Sequence, residues 1–250
     1  KMKNYFEKQF ELRYFELNKF GEAQATTILT LLEETAADHC WSIDHSLYDL
    51  KYQNIGWVLL SGAIVMERYP LYKEKIIIRT WLSHYTPIRG LRENIIFDSR
   101  RNIIGRSTGL WVFFDLNRRR PARIFDDIRD KWSSEEEKST SIDITETIDP
   151  IVSGVYQKQF HVNRFDIDTY QHVNNIRYLQ WMSESIPDDI ADHYFMHTLN
   201  GRFLREAQQD DTLISCTNPL SEPGHFEHSI RSVNEGHFCA AARTIWKKKS

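Results

Sequence analysis

The run Phe165-Asp166-Ile167-Asp168-Thr169-Tyr170-Gln171-His172-Val173-Asn174-Asn175 leads into a segment that places Ile176, Leu179 and Met182 on one helical face. A weaker copy of the same plan stands 150 residues upstream. Phe10 and Phe160 open the two stretches, and Phe15 then falls on Phe165, Glu16 on Asp166, Leu17 on Ile167, Phe20 on Tyr170, Leu29 on Leu179 and Glu34 on Glu184. In the upstream copy the helical face is Ile28, Leu31, Leu32 and Thr35 to Ala36. Each half therefore reads as a short strand, a loop and an amphipathic helix, the second of which Pro187 terminates.

Strands follow each helix. In the first half they are Trp57 to Leu60, Ala63 to Met66, Lys75 to Trp81, Glu93 to Phe97 and Leu110 to Phe114. In the second they are Gly201 to Glu206, Thr212 to Cys216, Glu227 to Val233 and His237 to Trp246. β-branched and aromatic residues dominate these runs, and turn residues such as Asn102 and Asn234-Glu235-Gly236 separate them. The stretch Ser133 to Ser141 is polar, has nothing to bury and reads as a linker. The expected organisation is α+β: a first unit over residues 1–132, a linker over 133–154 and a second unit over 155–250. One helix must cover a whole antiparallel sheet in each unit, so it lies across the concave face.

Composition narrows the function classes. The 250 residues are 41% hydrophobic and 27% charged, ordinary for a globular chain. A net charge of -3 argues against general nucleic-acid binding. No apolar run reaches the ~18 residues of a membrane span, and Lys1 to Glu7 lacks the apolar stretch of a secretory signal. Cys40, Cys216 and Cys239 are scattered without CxxC spacing, which fits free thiols in a reducing cytoplasm. The Arg118, Arg119, Arg120 and Arg123 cluster suits an acidic partner. Lys247 to Lys249 reads as a basic, frayed end.

The polar run Phe165 to Asn175 precedes a helix, whose first turn offers unpaired N–H groups and positive dipole charge to an oxyanion. A carboxylate and an imidazole four residues apart beside that cradle can orient a water and move its proton. Spacing alone favours a plainer reading, a capped helix start with His172 on the surface. Gly105-Arg106-Ser107-Thr108-Gly109 matches a nucleophile elbow, but strand continues where the elbow needs a helix. His225, Glu227, His228 and His237 read as solvated sheet rather than metal ligands. There is no Walker A sequence and no GxGxxG after a strand, so neither a nucleotide cofactor nor a metal is expected.

The stretch Asp166 to Tyr178 closely resembles the D-x-D-x-N-x-H-V-N-N-x-x-Y segment of the acyl-acyl carrier protein (ACP) thioesterases. Arg202-Phe203-Leu204-Arg205-Glu206 is similar to their Y-R-R-E strand, and Asn54 to Val58, Val65 to Pro70 and Arg106 to Val112 also look like family segments. The resemblance implies a tandem double hotdog, in which each half is a long helix wrapped by a curved antiparallel sheet. It implies hydrolysis of fatty acyl-ACP thioesters, with Asp168, His172 and Glu206 as the catalytic residues in the second hotdog and an acyl pocket in the first. Tyr170 replaces the family's Asn, so either the oxyanion is served by Tyr170 or by Asn174, with backbone N–H groups of Val173 to Asn175, or activity is weak. Ala207 stands where plant members carry a Cys. Trp57 and Met66 are pocket candidates, although core packing explains them equally well. The arginine cluster is the expected carrier-docking site, with Arg89 and Arg92 as rivals. An acyl-CoA thioesterase of hotdog type and a non-catalytic acyl-binding protein are the alternatives, and a homodimer is left open.

Overall fold

The computed structural model describes residues 5–132 and 138–249. Residues 1–4 of the opening segment and 133–137 of the expected linker lie outside them. The chain forms two compact units, Lys1–Ile144 and Thr145–Ser250.

Unit 1 comprises β1 (Phe6–Glu11), α1 (Ala25–Trp41), α2 (Leu47–Tyr52), β2 (Ile55–Met66), β3 (Lys75–Tyr85), β4 (Arg89–Asp98), β5 (Ile103–Asp115), β6 (Arg120–Pro121) and α3 (Asp126–Trp132). Its antiparallel sheet runs in the order β1-β3-β4-β5-β2, with β6 pairing β5. Alternation in β3 sends Ile76, Ile78 and Thr80 inward beneath α1. From the helix, Ile28, Leu31, Leu32 and Thr35 meet them, the face expected from periodicity, and His39 and Cys40 extend it. Fully burying side chains such as Ile76, Ile78, Ile96 and Phe113 contributes about 1.5–3 kcal/mol each.

Unit 2 comprises β7 (Tyr156–His161), α4 (Asn175–Ser183), α5 (Asp188–His193), β8 (Tyr194–Phe203), β9 (Thr212–Pro219), β10 (His225–Ser232) and β11 (Phe238–Lys248). Its order is β8-β11-β10-β9-β7. Helix α4 has nine residues against seventeen in α1. Its buried residues are Tyr178, Trp181 and Met182, while Ile176 and Leu179 are only half-buried. The buried face is thus rotated toward the large aromatics. Beneath it the sheet offers small residues: an added Cβ on Gly201 would lie 3.8 Å from Leu179 Cδ2.

Several bonds of the loop and its neighbours recur in both units. The Leu12 N–H donates to Glu74 O and the Val162 N–H to Asp211 O, while Leu17 bridges Ala23 as Ile167 bridges Val173. Three expectations change. The segment Gly201 to Glu206 is not one strand: β8 ends at Phe203, because the Leu204 and Arg205 N–H groups both turn to Cys239 O. Lys247 and Lys248 are not a frayed end but pair with Phe195 and Tyr194. Within the expected linker, Ser139 donates from N and Oγ to the buried Glu93 carboxylate at 3.0 and 2.7 Å, and Ile144 and Ile148 are buried.

Candidate active site

The loop feeding α4 is built by its own side chains. Asp166 accepts the Asn163 N–H at 2.8 Å and pairs with Arg177 of α4 at 3.2 Å, which fixes the loop to the helix. The Asp168 N–H donates to His172 O at 2.8 Å, and the Asn174 N–H to Asp166 O at 2.9 Å. Between these bonds Asp168 Oδ1 accepts the N–H groups of Tyr170 at 2.8 Å and His172 at 3.4 Å. The resulting turn needs a left-handed residue, and Gln171 takes it at φ 66, where unit 1 uses Gly21. Asn174 caps α4, its Oδ1 accepting the Ile176 N–H at 2.8 Å. That leaves the Asn174 carbonyl committed and only its amide N–H groups available as donors.

His172 and Glu206 meet across the loops, Nε2 to Oε2 at 3.1 Å, with the side chains 30% and 44% exposed. Glu206 is held from both sides. Leu204 is tied to Cys239 O, and the Ala207 N–H donates to the Tyr178 hydroxyl at 2.8 Å. Both ends of the Tyr178 bond are buried, and burial keeps that phenol above its ordinary pKa, so it stays protonated. Tyr178 closes the segment that resembles the family, and spacing alone gives it no role. Its signal was a polar tip at a helix position whose neighbours Trp181 and Met182 are core. Asp168 is spent largely on the turn: its carboxylate accepts the two loop N–H groups through Oδ1, and its main chain bonds His172 O and the Gln171 N–H. The Tyr170 hydroxyl is buried.

Comparison of the two units sharpens the picture. Asn18 takes the place of Asp168 and Glu22 that of His172; matched loop bonds pair Glu74 with Asp211 and Leu71 with Gln208, so Tyr69 stands for Glu206 and Pro70 for Ala207. Burial and the Glu22 carboxylate hold the Tyr69 phenol above its usual value, so this unit sets a neutral phenol beside a carboxylate. In unit 1 the Ala23 N–H donates to Pro70 O at 2.8 Å. The equivalent Val173 N–H is buried and has no acceptor among the described residues. Unit 1 also loses the Glu206 anchor as a whole: Ile28 replaces Tyr178 and has no hydroxyl, and Pro70 has no N–H.

The remaining candidates separate. Trp57 lies in the hydrophobic core with its ring 4.7 Å from Phe113, and Met66 is fully buried against Gly105. Arg118, Arg119, Arg120 and Arg123 are exposed around the β5–β6 turn, with Arg118 near Asp115 and Arg123 paired with Asp126 at 3.3 Å. Arg89 is exposed too, whereas Arg92 is buried and drops out as a docking rival. Ser107 sits mid-strand in β5 opposite Ile64 and Asn94, without a helix after it. His228 is no solvated sheet residue but a buried one, bonded to the hydroxyls of Thr217 and Thr244 at 2.9 and 2.8 Å. Among the described residues no three His, Cys, Asp or Glu side chains gather as a metal site would require. The cysteines are free and buried, and burial pushes Cys239 up to about 12 and Cys40 to about 11, far from a reactive thiolate.

The sequence profile of the acyl-ACP thioesterase N-terminal domain matches residues 3–132, and that of the C-terminal domain matches residues 152–248. The chain belongs to the acyl-ACP thioesterase family. This thioesterase is 28% identical over 278 residues to oleoyl-acyl carrier protein thioesterase 1 of Arabidopsis thaliana, covering 98% of the chain and 76% of the relative. It is likewise 28% identical over 287 residues to the oleoyl-acyl carrier protein thioesterase of Coriandrum sativum, covering 98% and 77%. The fold matches the 12:0-ACP thioesterase from Umbellularia californica with TM-score 0.86 at 21% identity over 99% of both chains. It matches an acyl-ACP thioesterase from Bacteroides thetaiotaomicron with TM-score 0.87 at 20% identity over 98% of both. The architecture is the double hotdog, and the enzyme is a thioester hydrolase of fatty acyl-ACP. No helix among the described residues is long and apolar enough to cross a membrane.

Proposed function

We propose that Glu206 and His172 together activate the water that cleaves the fatty acyl-ACP thioester. Their 3.1 Å contact is the observation that carries this reading. A water between them and the thioester carbonyl gives its proton to the pair as its oxygen bonds to carbon. The negative charge that collects on the carbonyl oxygen is met by the Val173 N–H, just before the Asn174 cap of α4, with the α4 dipole behind it. The C–S bond then breaks, the carrier's thiolate takes the proton back from His172, and free fatty acid leaves. Asp168 shapes the turn that presents His172, and its Oδ2 is left to hold the water. Attack by Asp168 itself, through an acyl-enzyme anhydride, is disfavoured by the two N–H bonds that Oδ1 already accepts.

The arginines at the β5–β6 turn are the proposed landing site for the acidic carrier, with Arg89 as rival, and the interior of unit 1 around Trp57 and Met66 the proposed acyl site. A cytoplasmic place of action is part of the same proposal, supported by the three free, buried thiols. Acyl-CoA turnover is the second reading, and the chain's match to the acyl-ACP thioesterases over both halves weighs against it. The decisive assay is hydrolysis of a ladder of acyl-ACP substrates beside the matching acyl-CoAs by wild type and E206Q. Glu206→Gln should lower kcat on the order of a hundredfold or more with KM little changed. Full turnover by E206Q removes Glu206 from the mechanism.

A further inference from the structure

The interior of unit 1 holds a guanidinium that pairs with no carboxylate among the described residues. Arg92 of β4 is 7% exposed. Its Nη1 donates to Thr80 Oγ1 at 3.0 Å and lies 3.3 Å from His39 Nδ1, and its guanidinium stacks over Trp132 at 5.0 Å. Both acceptors are neutral, since burial and then the Arg92 charge pull His39 down to about 3. Among the described residues no carboxylate pairs with Arg92, and its Nε and Nη2 have no acceptor. Glu93 is next in the strand, but it points to the other face of the pleat, where Ser83, Thr108 and Ser139 hold it.

The excess of donors continues beyond the guanidinium. The indole N–H groups of Trp132 and Trp57 are both buried without an acceptor, and the two rings lie 5.9 Å apart. The surrounding side chains, among them Leu82, Phe113 and Ile128, are apolar. A buried charge left unpaired is costly, and so is each buried donor without an acceptor. A hydrophobic side chain in place of Arg92 would have avoided the first of these costs. Uncommitted guanidinium N–H groups match a carboxylate, whose two oxygens can take several donors at once. Apolar walls match an aliphatic chain attached to it.

We propose that the interior of unit 1 binds an aliphatic carboxylate, with its head group on Arg92 and its chain against the apolar cluster beside Trp132. Two sources share this chemistry: the free fatty acid that the enzyme releases, and an acyl chain carrying a second carboxylate at its far end. Only the choice of these sources rests on the thioesterase reading; the charge imbalance stands without it.

The test is isothermal titration with tryptophan fluorescence, using fatty acids, the alcohols of matching length and the matching dicarboxylic acids, on wild type, R92M and R92K. Wild type should bind acid about tenfold or more tightly over alcohol, the size of a charge-assisted contact. Arg92→Met should lose that preference and Arg92→Lys should keep part of it; acid binding left in R92M belongs to the site around Glu206. Preference for monoacids points to the released product, and preference for diacids alone points to the far-end carboxylate. Equal binding of acid and alcohol by wild type overturns the proposal, as does an acid preference unchanged in R92M. If R92M fails to fold, the wild-type comparison and R92K still decide. Turnover of acyl-ACP by R92M, measured alongside, tests the thioesterase reading separately.

Discussion

Replacing Tyr178 by Phe removes one oxygen and leaves the ring in place. The Ala207 N–H, on a residue with 0% exposure, then loses an acceptor at 2.8 Å and finds no water to replace it. Stranding a buried donor costs about 1–3 kcal/mol. In a two-state unit of this size each 1 kcal/mol lowers Tm by roughly 4–8 °C. The loop relieves the loss by shifting, and Glu206 is the residue next to the broken bond. Displacement of a catalytic group by about 1 Å can cost on the order of a hundredfold, so if Glu206 acts as proposed kcat should fall roughly tenfold to a hundredfold with KM for acyl-ACP little changed. The control is Ile230→Val in the core of the same unit, which should cost about 0.5–1.5 kcal/mol without touching the loop. Steady-state kinetics well below both melting temperatures, with calorimetry on the same samples, reads the outcome. The reasoning fails if Y178F melts early yet keeps wild-type kcat, or if I230V loses as much rate as Y178F.

Other outcomes follow from the same geometry. Charge reversal at Arg118 and Arg120 should raise KM for carrier-bound substrate and spare small thioesters; equal effects on both would end the docking role. Burial holds His228 at about 3 against an ordinary 6.5, so it stays neutral in the fold while the unfolded chain takes up a proton below 6.5. Its contribution is therefore complete above pH 6.5 and lost as pH falls toward 3, by up to a few kcal/mol. Chemical denaturation across that window should show a shallower decline for His228→Gln than for wild type. An unchanged slope would mean that the imidazole gains a proton without unfolding. His172→Asn should reduce kcat with the fold intact, since the main-chain bonds of the Asp168 turn do not use the imidazole; a lower Tm with unchanged kcat would make the residue structural.

The fold was legible because duplication left its trace at matched positions. Phe10 and Phe160, and the pairs that follow them, mark segments whose hydrogen bonds coincide in the structure. Strand limits were less legible. Turning of the Leu204 and Arg205 N–H groups to Cys239 is a tertiary event, invisible in the alternation of Gly201 to Glu206. The buried face of α4 was misjudged because Tyr178 and Trp181 carry polar atoms that weaken a hydropathy pattern, although their rings fill the core. At the site, the closeness of His172 and Glu206 came from family resemblance; nothing in a spacing of this length brings two side chains together. The Tyr178 anchor and the lone charge of Arg92 depend on what surrounds them, and composition holds no record of surroundings.

The sealed loop of unit 1 bears on engineering. The two halves share a scaffold down to individual bonds, and their difference at the loop is concentrated in Asn18, Glu22, Ile28, Tyr69 and Pro70, which stand for Asp168, His172, Tyr178, Glu206 and Ala207. Converting all five would give the first half counterparts of Asp168, His172, Glu206 and the Tyr178–Ala207 anchor, and converting any one alone would leave its partner missing. No single substitution along that route therefore supplies the whole set of groups to the first half.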